Sequence, residues 1–343
     1  DCIERYYQSY PRWKISALVE VVRRECARTG LTAPGANTIR RRVDQISDKK
    51  AARYNTERHA SKCYTPLYGC YPATEGPHAV WQIDHTMVDL IVVDEIYRQP
   101  IGRPYLTLAI DVYSRCIPGF CLTLEAPSVV STGLCLAHGA NPKEQWLAQR
   151  QIKTTWPIWG KPACVHLDNA GEFHSQAFTR GCEAHGVNII YRPPNQPQYG
   201  GIIERVIGTF MQLIHRLPGT TFSNSQEKGN YPAEKKAVFT LAELEHWLTI
   251  AITDYYHQKI HEGIKLPQIV QKKQGILGDG ESKGMGYPAK LADPQTFLLD
   301  FLPMYWRSLQ RHGFQLDHIA YNHRLLTPLI GNRKKHLQFL IRN

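Results

Sequence analysis

Apolar positions in WKISALVEVVRRECARTG fall at Ile15, Leu18, Val19, Val22 and Cys26, one face of a helix, and Gly30 suits its end. In LTAPGANTIRRRVDQI, Pro34 and Gly35 supply a turn and Asn37 or Thr38 a cap. Ile39, Val43 and Ile46 then form the buried side of a second helix. Helix, short turn and Arg-rich helix outline a helix-turn-helix DNA reader. The alternative is a small helical bundle with a solvated charged face. Successive helical residues lie about 100° apart, so Arg40, Arg41 and Arg42 cannot all face one groove. SDKKAARYNTERHASK, residues 47–62, has no periodicity; with Lys49, Lys50 and Arg53 it reads as a basic linker lying along phosphates.

From about residue 78 the pattern changes. HAVWQIDHTMVDLIVVDE reads as one long strand, and YLTLAIDVYSRCIPGFCLTLEAP as two more, joined around Tyr113 to Arg115. A helical stretch follows from about Val129 to Arg150. PACVHLD is a fourth strand, HSQAFTRGCEAHG a helix and VNIIYRP a fifth strand. PPNQPQYGG is a loop rich in Pro, Gly and amides, and GIIERVIGTFMQLIHRL a strongly periodic helix. Residues 240–258 add another helix. Three antiparallel strands, a crossover helix, then alternating strand and helix give a mixed α/β layer. After about residue 275 short strands at close spacing predict a small β-barrel, incompletely represented. The expected division is 1–50 helical, 51–77 linker, 78–272 α/β core and 273–343 linker with partial barrel.

Charge sharpens this picture. Lys and Arg total 41 against 30 Asp and Glu, a formal +11 with a pI near 9.2. That balance points to a polyanion, nucleic acid before membrane. The nine cysteines are scattered without a C-x-x-C, which fits reduced thiols rather than a disulfide scaffold. His59, Cys63, Cys70 and His78 match no standard zinc-finger spacing and read as unrelated loop residues. No apolar run reaches transmembrane length. Beginning at Asp1, the chain reads as part of something longer.

The candidate chemistry lies in carboxylates at strand ends. Val165 and Leu167 suit a sheet interior, yet VHLDNAGEF then aims Asp168 out of the strand tip. Asp84 sits inside the first strand, in WQIDHT, where a charge is expensive without compensation. Glu204 lies one turn into the periodic helix. If the first strand is central with the fourth beside it, all three meet at one edge. Crowded carboxylates repel by roughly 4 kcal/mol per pair at 4 Å and an effective dielectric near 20, so one protonates or cations enter. Hard oxygen ligands favour Mg2+ or Mn2+, and two such ions suit phosphoryl transfer.

WQIDHT, LAIDVYSR, HLDNAGEF and the 35 residues between Asp168 and Glu204 resemble the DDE core of transposases and retroviral-type integrases, an RNase H-like fold. NQPQYGGIIER and HRLPGTTFSN narrow the resemblance to the Mu-like TnsB/TniA transposases. It implies that Asp84, Asp168 and Glu204 are catalytic metal ligands for two Mg2+ ions, with Mn2+ able to substitute. It implies 3′-end cleavage of transposon DNA and strand transfer into target DNA. A multimer bridging two ends, an AAA+ ATPase regulator, a second end-cleaving nuclease or target-selection module, and a nucleoid-associated place in a bacterial cytoplasm complete the expectation. The alternatives are a phage- or retrovirus-like integrase with the same chemistry, and a domesticated DNA-binding protein on this fold. Many relatives have Gly directly after the Asp-Asn pair; here Ala170 precedes Gly171.

Neighbouring groups have their own expected places. Asp111 orders the strand edge and the Ser114–Arg115 turn. Asp89, at odd spacing from Asp84, points to the opposite face. Glu172 is the nearest rival to Asp168, and His166 is a packed sheet histidine. Asn169, Asn195, Gln196, Tyr199 and Arg205 are candidate DNA contacts beside the cleft.

Overall fold

The computed structural model describes residues 2–9, 14–45, 74–169, 173, 175–193, 197–223, 229–330 and 338–342. Two compact units divide between residues 70 and 71. In the first, α1 (Cys2–Ser9), α2 (Ile15–Arg28) and α3 (Ala36–Asp44) enclose Ile3, Leu18, Val19, Val22, Ile39 and Val43. These are the stripes that the 3.6-residue period marks, joined by α1, which the periodicity did not reveal. Gly30 takes φ 70° just past α2, and the Leu31 N–H returns to the Cys26 carbonyl, the left-handed turn that ends the helix. Helix α3 starts earlier than its expected caps. Gly35 is the N-cap, without a side-chain cap, and the Asn37 side-chain oxygen accepts instead from Arg40 Nη1 at 3.0 Å. Ile46, Lys49, Lys50 and Arg53 lie outside the described residues.

The second unit begins with β1 (Val80–Met87), β2 (Val92–Val93), β3 (Pro100–Gly102), β4 (Tyr105–Asp111) and β5 (Gly119–Thr123). Then follow α4 (Val129–Ala140), α5 (Glu144–Gln149), β6 (Cys164–Leu167), α6 (Gln176–Ala184), β7 (Asn188–Tyr191) and α7 (Gly201–Ile214). Helices α8 (Leu241–Ile250), α9 (Gln268–Leu277) and α10 (Pro294–Asp300) complete it. The main sheet runs β5-β4-β1-β6-β7. Strand β4 is antiparallel to both its neighbours, while β6 is parallel to β1 and β7 to β6. This is the RNase H-like mixed sheet, with its first strand central and its fourth alongside.

Two expected elements are shorter than their apolar runs. Strand β1 stops at Met87, because Asp89 is committed to Arg103 Nη2 at 2.6 Å and to His215 Nε2 at 2.9 Å. Val92 and Val93 then pair with β3 in a separate ladder. The stretch expected as one helix to Arg150 divides at Asn141–Pro142. Asn141 is extended at φ −90° and ψ 149°, as a residue before proline prefers.

Period-two alternation sends side chains to two cores. Trp81, Ile83, Val165 and Leu167 pack with Cys135 and Leu136 of α4, Phe178 of α6 and Phe297 of α10. Leu106, Leu108 and Ile110 of β4 meet Ile203, Val206, Phe210 and Ile214 of α7, and Leu244 and Leu248 of α8. Each such buried side chain contributes about 1.5–3 kcal/mol, so α7 is fixed against the sheet along its length. A β-carbon on Gly119 would stand 2.4 Å from the Gly139 nitrogen, so glycine lets α4 lie directly on β5.

Near the end of the chain, β8 (Met304–Ser308) pairs with β11 (Gln338–Arg342), and β9 (Phe314–Leu316) with β10 (Ile319–Tyr321). The expected short strands are present. Among the described residues they form separate two-stranded ladders and no closed barrel, since closure needs every strand paired on both edges. No helix among the described residues is long and apolar enough to cross a membrane.

Candidate active site

Parallel pairing of β1 and β6 sets Gln82 opposite His166. Two residues further along each chain, the same alternation brings Asp84 and Asp168 to that face. On its other side Asp84 pairs with the buried Leu108. Burial pushes the Asp84 carboxyl above its ordinary value of 3.8, and the Asp168 charge adds to the rise. Arg192 and the His85 N–H, which donates to Asp84 Oδ1 at 2.8 Å, work against it. A carboxylate so placed calls for positive charge.

Glu204 comes to this face on the first turn of α7. Its position is set by Gln82. The Gln82 Nε2 donates to the Tyr199 carbonyl at 2.8 Å, its Oε1 accepts the Ile203 N–H at 3.2 Å, and its amide lies 3.1 Å from His166 Nδ1. One glutamine therefore joins the helix start to both central strands and satisfies a helix N–H that has no partner within the helix.

Between the carboxylates stands Arg192. Its Nη1 lies 3.3 Å from Asp84 Oδ2. A β-carbon on Gly200 would stand 2.5 Å from Glu204 Oε1 and 2.6 Å from the same Nη1. Among the described residues, no set of three or more His, Cys, Asp or Glu groups is arranged to hold a metal. The Asp84 carboxylate faces the Arg192 guanidinium instead. The donors are hard oxygens, one is raised by burial, and a cation already rests against it. That set fits a hard divalent ion.

Residues 82–219, which include Asp84, Asp168 and Glu204, match the family model of the TnsB C-terminal domain. That stretch resembles the TnsB domain. Over 256 residues the chain is 27% identical to the transposase for transposon Tn552 of Staphylococcus aureus, covering 74% of this chain and 48% of that protein. Over 138 residues it is 34% identical to the Tn7 transposition protein TnsB of Escherichia coli, covering 39% of this chain and 20% of TnsB. The chain thus spans about half the length of the first relative and a fifth of the second. Among solved structures, a chain of the simian T-cell lymphotropic virus intasome, solved with the PP2A regulatory subunit B56 gamma, aligns at 13% identity and a TM-score of 0.40. That alignment covers 93% of this chain and 85% of the other.

Other residues of the TnsB-like core fall into place around the carboxylates. Asp111 is buried, and its oxygens accept the His78 N–H at 2.9 Å and the Ser114 N–H at 3.1 Å, the turn-ordering role its position suggests. Asp89 lies beyond the end of β1, so its odd spacing decides nothing; it fastens the segment after α7 through His215 and through Ser223 Oγ at 3.1 Å. His166 is buried, and its ring is pushed down to about 4, first by burial and then by Arg192. Asn169 Nδ2 donates to the Arg192 carbonyl at 2.7 Å, so this residue braces the site's own loops. Tyr199 contributes its carbonyl to Gln82, and Arg205 is exposed on α7. Glu172, Asn195 and Gln196 lie outside the described residues, as do His59, Cys63 and Cys70. His78 is buried against Lys272. In the N-terminal unit Arg40, Arg41 and Arg42 are all exposed, with Arg42 Nη1 donating to Gln45 Oε1 at 3.1 Å.

The sequence reading missed Gln82 and Arg192. Gln82 carried a signal, because two-residue spacing puts it on the face of Asp84. Arg192 carried a weaker one, a basic residue between a strand and the loop leading to Glu204.

Proposed function

We propose that this chain is a transposase, a DDE-type polynucleotidyl transferase acting on the DNA ends of its own element. The observation that carries the reading is Asp84 beside Asp168 on one sheet face, with Glu204 brought to that face by the Gln82 clamp. The match of residues 82–219 to the TnsB C-terminal domain and the names of the two transposition relatives support it.

In this reading Asp84, Asp168 and Glu204 hold two Mg2+ ions, for which Mn2+ substitutes. Such ions, when bound, offset the negative charge that builds on a phosphate under attack. The chain's own part is to present the carboxylates rigidly, through the packed α7 and the Gln82 bridge. Water first cleaves a phosphodiester at the element's end and leaves a 3′ hydroxyl. That hydroxyl then displaces the 3′ oxygen of a target phosphodiester, so one bond forms as one breaks and no protein nucleophile is needed.

Residues 1–50 serve as the DNA-reading domain with Arg40, Arg41, Arg42, Lys49 and Lys50, and 51–77 as a basic linker with Arg53. Residues 78–272 form the catalytic core, and 273–343 a linker and partial barrel. Asn169, Asn195, Gln196, Tyr199 and Arg205 lie along the DNA path in this reading. A homo-multimer bridges two ends, and an AAA+ ATPase acts with it, together with a second end-cleaving nuclease or a target-selection module. The test is an end-joining assay with DNA flanking the gene. Mg2+-dependent release of a 3′ hydroxyl followed by joined product is expected; binding without cleavage in either Mg2+ or Mn2+ contradicts the reading.

A further inference from the structure

Arg192 is a buried charge that the proposed chemistry leaves unused. It directly follows β7, with only 8% of its surface exposed. Its backbone is held on both sides. The N–H donates to the Leu167 carbonyl at 2.7 Å, and the carbonyl accepts Asn169 Nδ2 at 2.7 Å, both beside Asp168. The side chain extends from this fixed backbone to Asp84.

That side chain is poorly satisfied for a guanidinium. Its contact to Asp84 Oδ2, at 3.3 Å, is longer than the roughly 2.7–2.9 Å typical of a charge-assisted bond. Among the described residues Nε and Nη2 are buried with no hydrogen-bond partner. A side chain placed to stabilise the fold would spend these donors, since unpaired buried donors are costly. The Arg192 Nη1 and Glu204 Oε1 both border Gly200, while the ion pair of the guanidinium among the described residues is with Asp84. The guanidinium thus contacts one of the carboxylates that the metal reading assigns as ligands.

We propose that Arg192 is a placeholder cation: its guanidinium neutralises Asp84 while no divalent ion is bound, and is displaced when one binds. Side chain and metal then compete for the same carboxylate. Competition keeps the metal-free carboxylates from repelling one another, and weakens metal binding by the free energy of the contacts that must break. This inference rests on the metal reading of the site, and goes further by assigning a residue that opposes the metal.

The test is Mn2+ titration of the full chain without DNA, followed by the paramagnetic resonance of free Mn2+, for the wild type, Arg192→Gln and Arg192→Lys. Removing the competitor is expected to tighten Mn2+ binding by about tenfold or more, the scale on which a neighbouring Arg changes a carboxylate's hold on a proton. Should Arg192→Gln fail to fold, Arg192→Lys decides, because a compact, strongly hydrated ammonium on a shorter reach yields the carboxylate more readily than a guanidinium; it too should bind Mn2+ more tightly than wild type. Wild-type protein that binds Mn2+, with folded variants binding it equally or more weakly, overturns the placeholder and leaves the metal reading standing. No Mn2+ binding by any of the three proteins overturns both.

Discussion

Asp84 and Gly200 show how little room the candidate site leaves. Gly200 has φ −92° and ψ −8°, a backbone that any residue adopts. A side chain there would meet Glu204 Oε1 and Arg192 Nη1, the flexible ends of two site residues, within 2.6 Å of its β-carbon. Gly200→Ala must therefore push both groups aside. We expect strand transfer to fall about 10- to 100-fold, as it does when reacting groups shift by about an ångström. The cost to stability should stay within the roughly 1–3 kcal/mol of local overpacking. A variant that joins DNA at the wild-type rate contradicts the crowding. At this scale Asp84 and Asp168 stood out as candidates, one inside an apolar strand where a charge needs compensation and one just past a strand tip. Gln82 did not, since a polar residue in a half-buried strand also suits a solvated face, and neither did Arg192, just past a strand end. The burial of Gln82 beneath the Ile203 N–H of α7 reveals that this face is covered.

At the scale of elements, the site depends on how α7 is joined to β1. Gln82→Leu keeps the apolar bulk but strands the Ile203 N–H and the Tyr199 carbonyl. Leaving such groups unpaired costs about 1–3 kcal/mol. We expect a lower melting temperature and a loss of strand transfer larger than the loss of DNA binding; unchanged melting and activity contradict the clamp. A second joint is acid-sensitive. His257 is 1% exposed, its Nε2 accepts the Ile117 N–H at 2.9 Å, and its ring is pushed down to about 3, chiefly by burial and further by Lys143 and Lys272. The folded ring takes a proton less readily than the unfolded one, whose value is near 6.5. Stability from His257 is therefore present above pH 6.5 and lost as pH falls from there towards 3. The slope is about 1.4 kcal/mol per pH unit for one such group. His257→Gln keeps an acceptor for Ile117 without titrating, so denaturant midpoints across this window should show a shallower acid slope, and an unchanged slope contradicts the assignment. The order of the five sheet strands and of the helices between them was legible from periodicity, whereas α1, α9 and α10 were not. Nor were the ends of the elements: β1 stops where Asp89 meets Arg103 and His215, partners distant in sequence. The Asn141–Pro142 break, by contrast, was written in the chain.

Across the whole molecule the charge of +11 is the feature that sequence alone carries furthest. If it serves phosphate binding, affinity for end DNA should fall by orders of magnitude between about 50 and 200 mM salt. Alanine at Arg40, Arg41 and Arg42 in turn, on end and scrambled DNA, should weaken binding at one position at least and leave another unaffected, since one helix face cannot present all three. Three silent substitutions contradict a DNA-reading α3. The helical unit was legible from its stripes, whereas the closing of strands near the end of the chain was not, because period-two runs mark strands without naming partners. The central claim is that Asp84, Asp168 and Glu204 serve a metal rather than the fold. Asp168→Asn beside Glu172→Gln tests it most directly, by melting with and without Mn2+ and by end joining. For Asp168→Asn the account predicts metal-free melting at or slightly above wild type, a reduced Mn2+-dependent rise, retained DNA binding and joining at background, with Glu172→Gln unchanged throughout. An Asp168→Asn protein that unfolds, or that joins DNA ends at the wild-type rate, contradicts it.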